Sequence, residues 1–148
     1  MMQIRVVAVG KLKDRGLRRL VDDYGSRVSR YARFDEVELK DADTNTLAQR
    51  LKKEFGPRTR TVALEVAGQR LSSPGLADVL RRCHHDAIQR ATFLIGGAYG
   101  LPAEVSQACD LKLSLSDMTL PHRLARLLLV EQIYRAFTII RGEPYSHD

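Results

Sequence analysis

Two charged side chains stand on a helix that is otherwise apolar, near the C-terminal end of the chain. The pattern predicts this helix from near Pro121 to about Ile140, because proline suits the first helical turn and apolar residues then point in nearly every direction. Glu131 and Arg135 are four residues apart with the acid first, the favoured order for an ion pair on one helix face. Charged side chains on a buried helix must be paired with an opposite charge or take part in a functional site. The pair is therefore either a structural ion pair or oligomer contact, or part of a site that needs Arg135 fixed in place.

Two histidines flank the same helix. His122 stands at its start, directly after a strand–helix loop, where it is either a polar surface residue or an acid–base group at the mouth of a ligand pocket. The tail beyond the helix contains Tyr145 and His147. Such a tail is either inert, as many chain ends are, or closes a site, including one on a neighbouring subunit.

The elements that must position these residues alternate regularly along the chain. Predicted strands cover residues 3–9, 34–39, 60–66, 92–95 and 111–115, and predicted helices cover residues 14–32, 44–55, 73–90, 102–109 and about 121–140. This alternation predicts an α/β fold with a parallel-type sheet of about five strands flanked by helices, in one domain over residues 1–148. Open sheets bind ligands beyond the C-terminal ends of their strands, which here are the loops after Val66, Ile95 and Leu115.

Motifs for several standard sites are missing or incomplete. The GGAYG loop at residues 96–100 lets the backbone approach a ligand, but it is neither the dinucleotide fingerprint nor a P-loop. The run Cys-His-His-Asp at residues 83–86 falls on a predicted helix. Successive side chains there point about 100° apart and cannot converge on one ion, so we expect no metal. The nucleophile elbow G-x-S-x-G is also absent from the sequence.

The net charge of +6 is concentrated at one end of the chain, since residues 1–33 hold nine basic and three acidic side chains. Arg15, Arg19 and Arg30 lie on the outer side of the predicted helix 14–32. This surface indicates either a nucleic-acid partner or only a solvated helix face. No apolar run approaches the roughly 20 residues that span a bilayer, and no signal peptide is expected. A cytoplasmic protein with two reduced cysteines is the default expectation.

Three segments together resemble a known family. They are FLIGGAYGLP at residues 93–102, LSLSDMTLPHRLARLLLVEQIYRAF at 113–137, and a short tail containing Pro-Tyr. They look like the small SPOUT-class methyltransferases, above all the ribosomal RNA large-subunit methyltransferase H family, and the resemblance covers essentially the whole chain. It implies transfer of a methyl group from S-adenosyl-L-methionine to N3 of a pseudouridine in 23S rRNA, with the large subunit or whole ribosome as substrate.

The resemblance also implies architecture that no pattern in the sequence supplies. It implies a C-terminal trefoil knot, which general fold expectations exclude, with the methyl donor bound in the knot. It further implies a homodimer packed through the last helix. By motif position, the residues that contact the methyl donor are Leu64, Gly97, Leu115, Ser116, Asp117, Met118, Thr119 and Leu120.

The same resemblance implies roles for the residues that opened this subsection. Arg135, His122 and Tyr145 match family positions that face the RNA base or the donor. Arg135 would stabilise the anion that develops on the base, His122 or His147 would accept the N3 proton, and Tyr145 would stack on the base or hydrogen-bond to it. The family tail usually runs Pro-Tyr-His, whereas here His147 is displaced by one residue.

Two other functions fit the same sequence. One is a non-catalytic ribosome-binding factor that keeps the fold and uses the basic N-terminal helix. The other is a SPOUT methyltransferase that acts on another RNA, such as tRNA.

Overall fold

The computed structural model of the protein describes residues 1–147, with side chains described as far as Tyr145. Strands are β1 (Gln3–Val9), β2 (Arg33–Leu39), β3 (Thr59–Arg70), β4 (Arg90–Ile95) and β5 (Leu111–Ser114), and helices are α1 (Arg15–Val28), α2 (Thr44–Lys52), α3 (Ser73–His85), α4 (Ala103–Ala108) and α5 (His122–Arg141), followed by a 3₁₀ turn over Pro144–His147. The predicted alternation of five strands and five helices is confirmed. Within residues 1–147, no helix has both the length and the apolar character needed to cross a membrane.

All five strands form one parallel sheet in the order β2-β1-β4-β3-β5. One face carries α1, α3 and α5 over a core that includes Val6, Phe93 and Leu129, while α2 and α4 cover the other face around Val7 and Leu94. Adjacent strand residues serve opposite faces, so β1 and β4 are apolar at nearly every position. The parallel-type sheet flanked by helices is confirmed, and the trefoil knot stays a prediction.

Several predicted helix ends were wrong. Helix α1 ends at Val28, so Arg30 lies in the turn that follows rather than on the helix. Helix α2 ends at Lys52 rather than at residue 55. Helix α3 ends at His85 instead of near residue 90, because the chain turns through a left-handed Ala87 (φ 57°). Its cap is Ser72, whose hydroxyl accepts from the Gly75 N–H at 3.1 Å.

Strand β3 contains a bulge that the sequence prediction missed. Both Leu64 and Gln69 lie opposite Leu113 of β5, so residues 65–68 protrude from the ladder. Gly68 permits this close approach, since a Cβ there would stand 2.7 Å from the Lys112 carbonyl oxygen. The strand therefore continues to Arg70 rather than ending at Val66.

Helix α5 carries a fully buried arginine that holds it against β2 and the end of β1. The side chain of Arg126 is 2% exposed, its Nη1 donates to Glu38 Oε2 at 2.6 Å, and its Nη2 donates to the Gly10 carbonyl at 3.0 Å. Glu36 lies 3.5 Å from the same Nη1 and also pairs with Arg18 of α1. Two carboxylates thus face two guanidinium groups, and the cluster is balanced in charge.

Ionisation of Glu38 depends on this cluster. Burial alone opposes the charged form, but hydrogen bonds from Arg126 and from the Leu12 N–H at 2.9 Å outweigh it and hold the pKa of Glu38 below its usual range. Removing one member of a buried ion pair leaves its partner without compensation.

We therefore expect Arg126→Met to lower the free energy of unfolding by about 3 kcal/mol, the lower end of the cost of breaking a buried pair, because Glu38 keeps some access to water. Urea denaturation measures this. Arg123→Met, an exposed arginine on the same helix, is the matched control and should change stability by less than about 0.5 kcal/mol. Equal effects of the two substitutions would contradict the role of the cluster.

Candidate active site

A groove opens at the edge of the sheet where the strands end. Its volume is about 160 Å³ and its walls are mostly apolar. The lining residues come from β3 and its bulge, the end of β4, the β5–α5 loop and the first turns of α5: Leu64, Glu65, Val66, Ile95, Gly100, Leu113, Leu115, Ser116, Met118, Leu120, His122 and Ala125. The groove therefore brings together five of the eight predicted donor-contacting residues, one from β3 and four from the β5–α5 loop, with His122.

The β5–α5 loop, which forms one wall, is held in place by hydrogen bonds of its own serines. The Ser114 hydroxyl donates to the Ser116 carbonyl at 2.9 Å, and the Met118 N–H donates to the Ser116 hydroxyl at 2.9 Å. These local bonds leave the apolar Met118 77% exposed at the mouth of the groove. An exposed methionine beside an apolar groove is a feature of ligand-binding surfaces.

Three predicted donor contacts lie outside the lining of the groove. Asp117 pairs with Arg70 at 2.7 Å on the surface, and Thr119 is exposed. Gly97 lines a neighbouring cavity of about 280 Å³ that shares Gly100 with the groove. The tight loop between them is possible because position 96 is glycine, where a Cβ would stand 2.3 Å from the Gly100 backbone.

A second polar cluster surrounds Glu131 at the middle of α5. Glu131 Oε2 accepts from Arg135 Nη2 at 2.8 Å and from the Tyr145 hydroxyl at 2.6 Å. The Arg135 guanidinium also lies over the Tyr145 ring, 4.7 Å from its centre, and that ring packs edge-on against Tyr134. The predicted pairing of Glu131 with Arg135 is confirmed. The side chain of His147 lies outside the described part of the chain.

The raised pKa of Tyr145 makes this phenol a hydrogen-bond donor rather than a base. Burial raises the pKa of the Tyr145 phenol, and its hydrogen bond to the Glu131 carboxylate raises that pKa further. Tyr31 behaves similarly, since burial and then a 2.7 Å bond to Glu143 raise its pKa to about 12. At neutral pH both phenols are protonated and can only donate a proton in a hydrogen bond to a carboxylate.

The groove and the Glu131 cluster lie at different positions along one helix, the groove at its first turns and the cluster from its middle onward. Arg135 follows His122 by 13 residues within α5, which corresponds to roughly 20 Å along the helix axis. A single chain therefore does not bring Arg135 and Tyr145 to the groove. Leu124 and Leu128, which precede Glu131 on α5, are 39% and 43% exposed.

The predicted RNA-contacting arginines are on the surface. Arg15, Arg19 and Arg30 are all exposed, and within the described side chains none of them forms a salt bridge. Arg18, by contrast, turns inward to Glu36 and Glu38. Part of the basic surplus of the sequence is thus used inside the molecule.

The two cysteines and the polar run at residues 83–86 form no site. Cys83 is buried on α3, His84 and His85 are exposed, and within the described residues no three potential ligands converge on a metal position. Cys109 follows α4 rather than lying within it. Both thiols are free, and burial raises the pKa of each.

Comparison with known proteins gives this arrangement a class. A family described as "Predicted SPOUT methyltransferase" matches residues 2–147. A solved structure described as a probable methylase family protein from Haemophilus influenzae superposes with a TM-score of 0.56 over 96% of this chain and 69% of that one, at 10% identity. The latter shows a shared fold, and the family match identifies a SPOUT-class methyltransferase.

Closer relatives define the family within that class. The ribosomal RNA large subunit methyltransferase H of Sorangium cellulosum is 44% identical over 99% of this chain and 100% of its own length. The protein of the same name from Acetivibrio thermocellus is 39% identical over 97% of this chain and 99% of its own. The chain therefore belongs to the ribosomal RNA large subunit methyltransferase H family.

For the Glu131 cluster we expect Glu131→Gln to lower the pKa of the Tyr145 phenol towards its ordinary value, because a neutral amide no longer opposes phenolate formation. Ultraviolet titration of tyrosine ionisation measures the shift, and Tyr145→Phe in the same experiment assigns the signal. An unchanged titration curve in Glu131→Gln would rule out the carboxylate as the cause.

Proposed function

We propose that this protein transfers a methyl group from S-adenosyl-L-methionine to N3 of a pseudouridine in 23S rRNA, in the cytoplasm, with the assembled ribosome as substrate. Family membership supports the methyltransferase class, and the names of the relatives support the ribosomal RNA of the large subunit. The observation that carries the proposal is the groove, because Leu64 of β3 meets there with four residues of the β5–α5 loop that are also predicted to hold the donor.

The chemistry of the groove fits the proposed donor. Leu115, Met118 and Leu120 offer apolar surface for the adenine ring, and backbone groups of the β5–α5 loop are available to its polar edges. The donor supplies an electrophilic methyl group on a sulfonium, so no metal is needed to activate it. The groove of about 160 Å³ is smaller than a typical complete ligand site, which supports a second subunit as part of the site.

We further propose that the site is shared between the subunits of a homodimer. The separation of roughly 20 Å along α5 between His122 and Arg135 keeps Arg135 and Tyr145 away from the groove of their own chain. If two α5 helices pack antiparallel about a two-fold axis, the C-terminal end of each lies beside the N-terminal end of the other. Leu124 and Leu128 supply exposed apolar surface for that packing.

In this arrangement the partner's cluster faces the acceptor base. The guanidinium of Arg135 stabilises negative charge on the base oxygens as the N3 proton leaves. Tyr145 stacks on the base or hydrogen-bonds to it through its hydroxyl oxygen, because its one hydroxyl proton is donated to Glu131. His122 at the groove or His147 in the tail accepts the proton. Glu131 holds Arg135 and Tyr145 in place.

We expect S-adenosyl-L-methionine to stabilise the protein against unfolding by about 2.7 kcal/mol at a hundred times its dissociation constant. Leu115→Asp should abolish this effect, because a charge is then placed in the apolar groove, whereas Arg135→Ala should retain it and lose most methyl transfer. Thermal unfolding and transfer of labelled methyl to ribosomes from a strain lacking the enzyme measure the two properties. Stabilisation without any methyl transfer by the wild type would favour a non-catalytic factor.

Mixed dimers test the shared site. We expect equal amounts of Leu115→Asp and Arg135→Ala chains, co-refolded, to regain about a quarter of wild-type activity, since half of the dimers are mixed and each mixed dimer has one intact site. Each variant alone should be inactive. Mixing Arg135→Ala with a chain lacking residues 144–148 is the matched control. Both changes damage the residues that one subunit contributes to the groove of the other, so this mixture should stay inactive. An inactive first mixture would refute a site shared between subunits.

The substrate follows from mapping the methylated nucleotide. RNA from a deletion strain should lack one N3-methylpseudouridine in 23S rRNA and regain it with the purified protein. A missing methyl group in tRNA instead would redirect the proposal to another RNA.

A further inference from the structure

The connection between β1 and α1 is held rigid from inside the molecule. The Gly10 carbonyl accepts from Arg126, and the Leu12 N–H donates to Glu38 at 2.9 Å, so both ends of this short segment are fixed to one buried ion pair. Leu12 itself is buried, whereas Lys11 and Lys13 on either side of it are exposed. A buried cluster therefore determines where two surface lysines lie.

Three further cations stand close to this segment. Arg15 and Arg19 are on the exposed side of the first turns of α1. Arg123 lies one turn before Arg126 on nearly the same side of α5, and it is also exposed. We call these five residues the basic rim: Lys11, Lys13, Arg15, Arg19 and Arg123. The rim lies at the same edge of the sheet as the groove, because its lysines follow β1, whose Ala8 is opposite the groove residue Ile95 of β4.

The acidic side chains nearby do not neutralise the rim. Glu36 and Glu38 are matched by Arg18 and Arg126. Asp22 also pairs with Arg18, at 2.9 Å. Asp14 caps α1 by accepting from the Leu17 N–H, and it is the one carboxylate within the rim sequence of residues 11–19. The rim therefore has a clear positive surplus beside the groove.

We propose that the basic rim binds the phosphate backbone of the RNA next to the target nucleotide, and that the Arg126–Glu38 cluster positions Lys11 and Lys13 for this contact. Lysines on a fixed loop meet phosphates as point charges without reading the base sequence. This role rests on the proposed RNA methyltransferase function and extends it to Lys11, Lys13 and Arg123. The rim then determines the affinity for RNA and the position of the protein along the RNA backbone. The groove and the Glu131 cluster perform the methyl transfer.

The test is the salt dependence of binding to ribosomes from a strain lacking the enzyme, measured between roughly 50 and 200 mM KCl. For the double variant Lys11→Ala/Lys13→Ala we expect weaker binding and a slope of log affinity against log salt that is smaller by about two, one for each lost phosphate contact. Arg123→Ala should reduce the slope by about one. Stabilisation by S-adenosyl-L-methionine should be unchanged in both, because neither variant alters the groove.

The control is Lys52→Ala/Lys53→Ala, which removes the same charge at the C-terminal end of α2, on the other face of the sheet, where Lys52 pairs with Glu104 at 2.8 Å. Its slope should equal that of the wild type. Equal slopes for the rim and control variants, with methyl transfer by the wild type intact, would overturn the rim assignment and leave the proposed function standing. Absence of methyl transfer by the wild type would instead remove the proposed function on which the rim rests.

Discussion

The length and rigidity of α5 set the constraint on which the proposed catalytic arrangement depends. The first turns of the helix form a wall of the groove, and its second half holds Arg135, with three to four helical turns between His122 and Arg135. An unbroken helix closed by a left-handed Gly142 cannot fold back on itself to bring these two side chains together. Chemistry that needs both must therefore use two copies of the chain. In the proposed homodimer, the exposed Leu124 and Leu128 supply apolar surface for the pairing, and a symmetric contact creates two equivalent sites at once.

Energetically, the same helix is secured by polar as well as apolar contacts. Its apolar side packs on α1 and α3 over the central strands, as in most α/β proteins. Arg126 adds a feature that an apolar core does not supply, because its hydrogen bonds fix the helix in one register against β1 and β2. Buried ion pairs contribute little net stability but are costly to break. In this protein the main effect of the cluster is on position. It fixes the start of α5, the wall of the groove and the segment bearing Lys11 relative to one another.

Much of this arrangement follows from patterns in the sequence, and the exceptions have physical causes. Alternating strands and helices predict the parallel sheet, and the rule on strand ends directs attention to the loops that do form the groove. The Arg126 cluster escaped prediction because its partners, Glu38 and Gly10, are far away in the chain, although two acids on one side of a predicted strand were a signal. Gly68 likewise indicated the bulge of β3, since glycine inside a strand is unfavourable without such a reason. The separation of His122 from Arg135 follows from the sequence, because 13 residues on one predicted helix correspond to roughly 20 Å along its axis. The residues that line the groove beside His122 could not be derived from the sequence pattern, because they come from segments that only the fold brings together.

The buried position of Arg126 also has a consequence for synthesis of the chain. Arg126 follows Glu38 by 88 residues and Gly10 by 116, so the cluster can form only after nearly the whole chain has left the ribosome. Until then β1 and β2 can pair, while the edge of β3 that later receives β5 remains open to other strands. A product truncated before β5 leaves that edge exposed, and one truncated before α5 leaves Glu36 and Glu38 without Arg126. The C-terminal helix is therefore the element that completes the buried cluster.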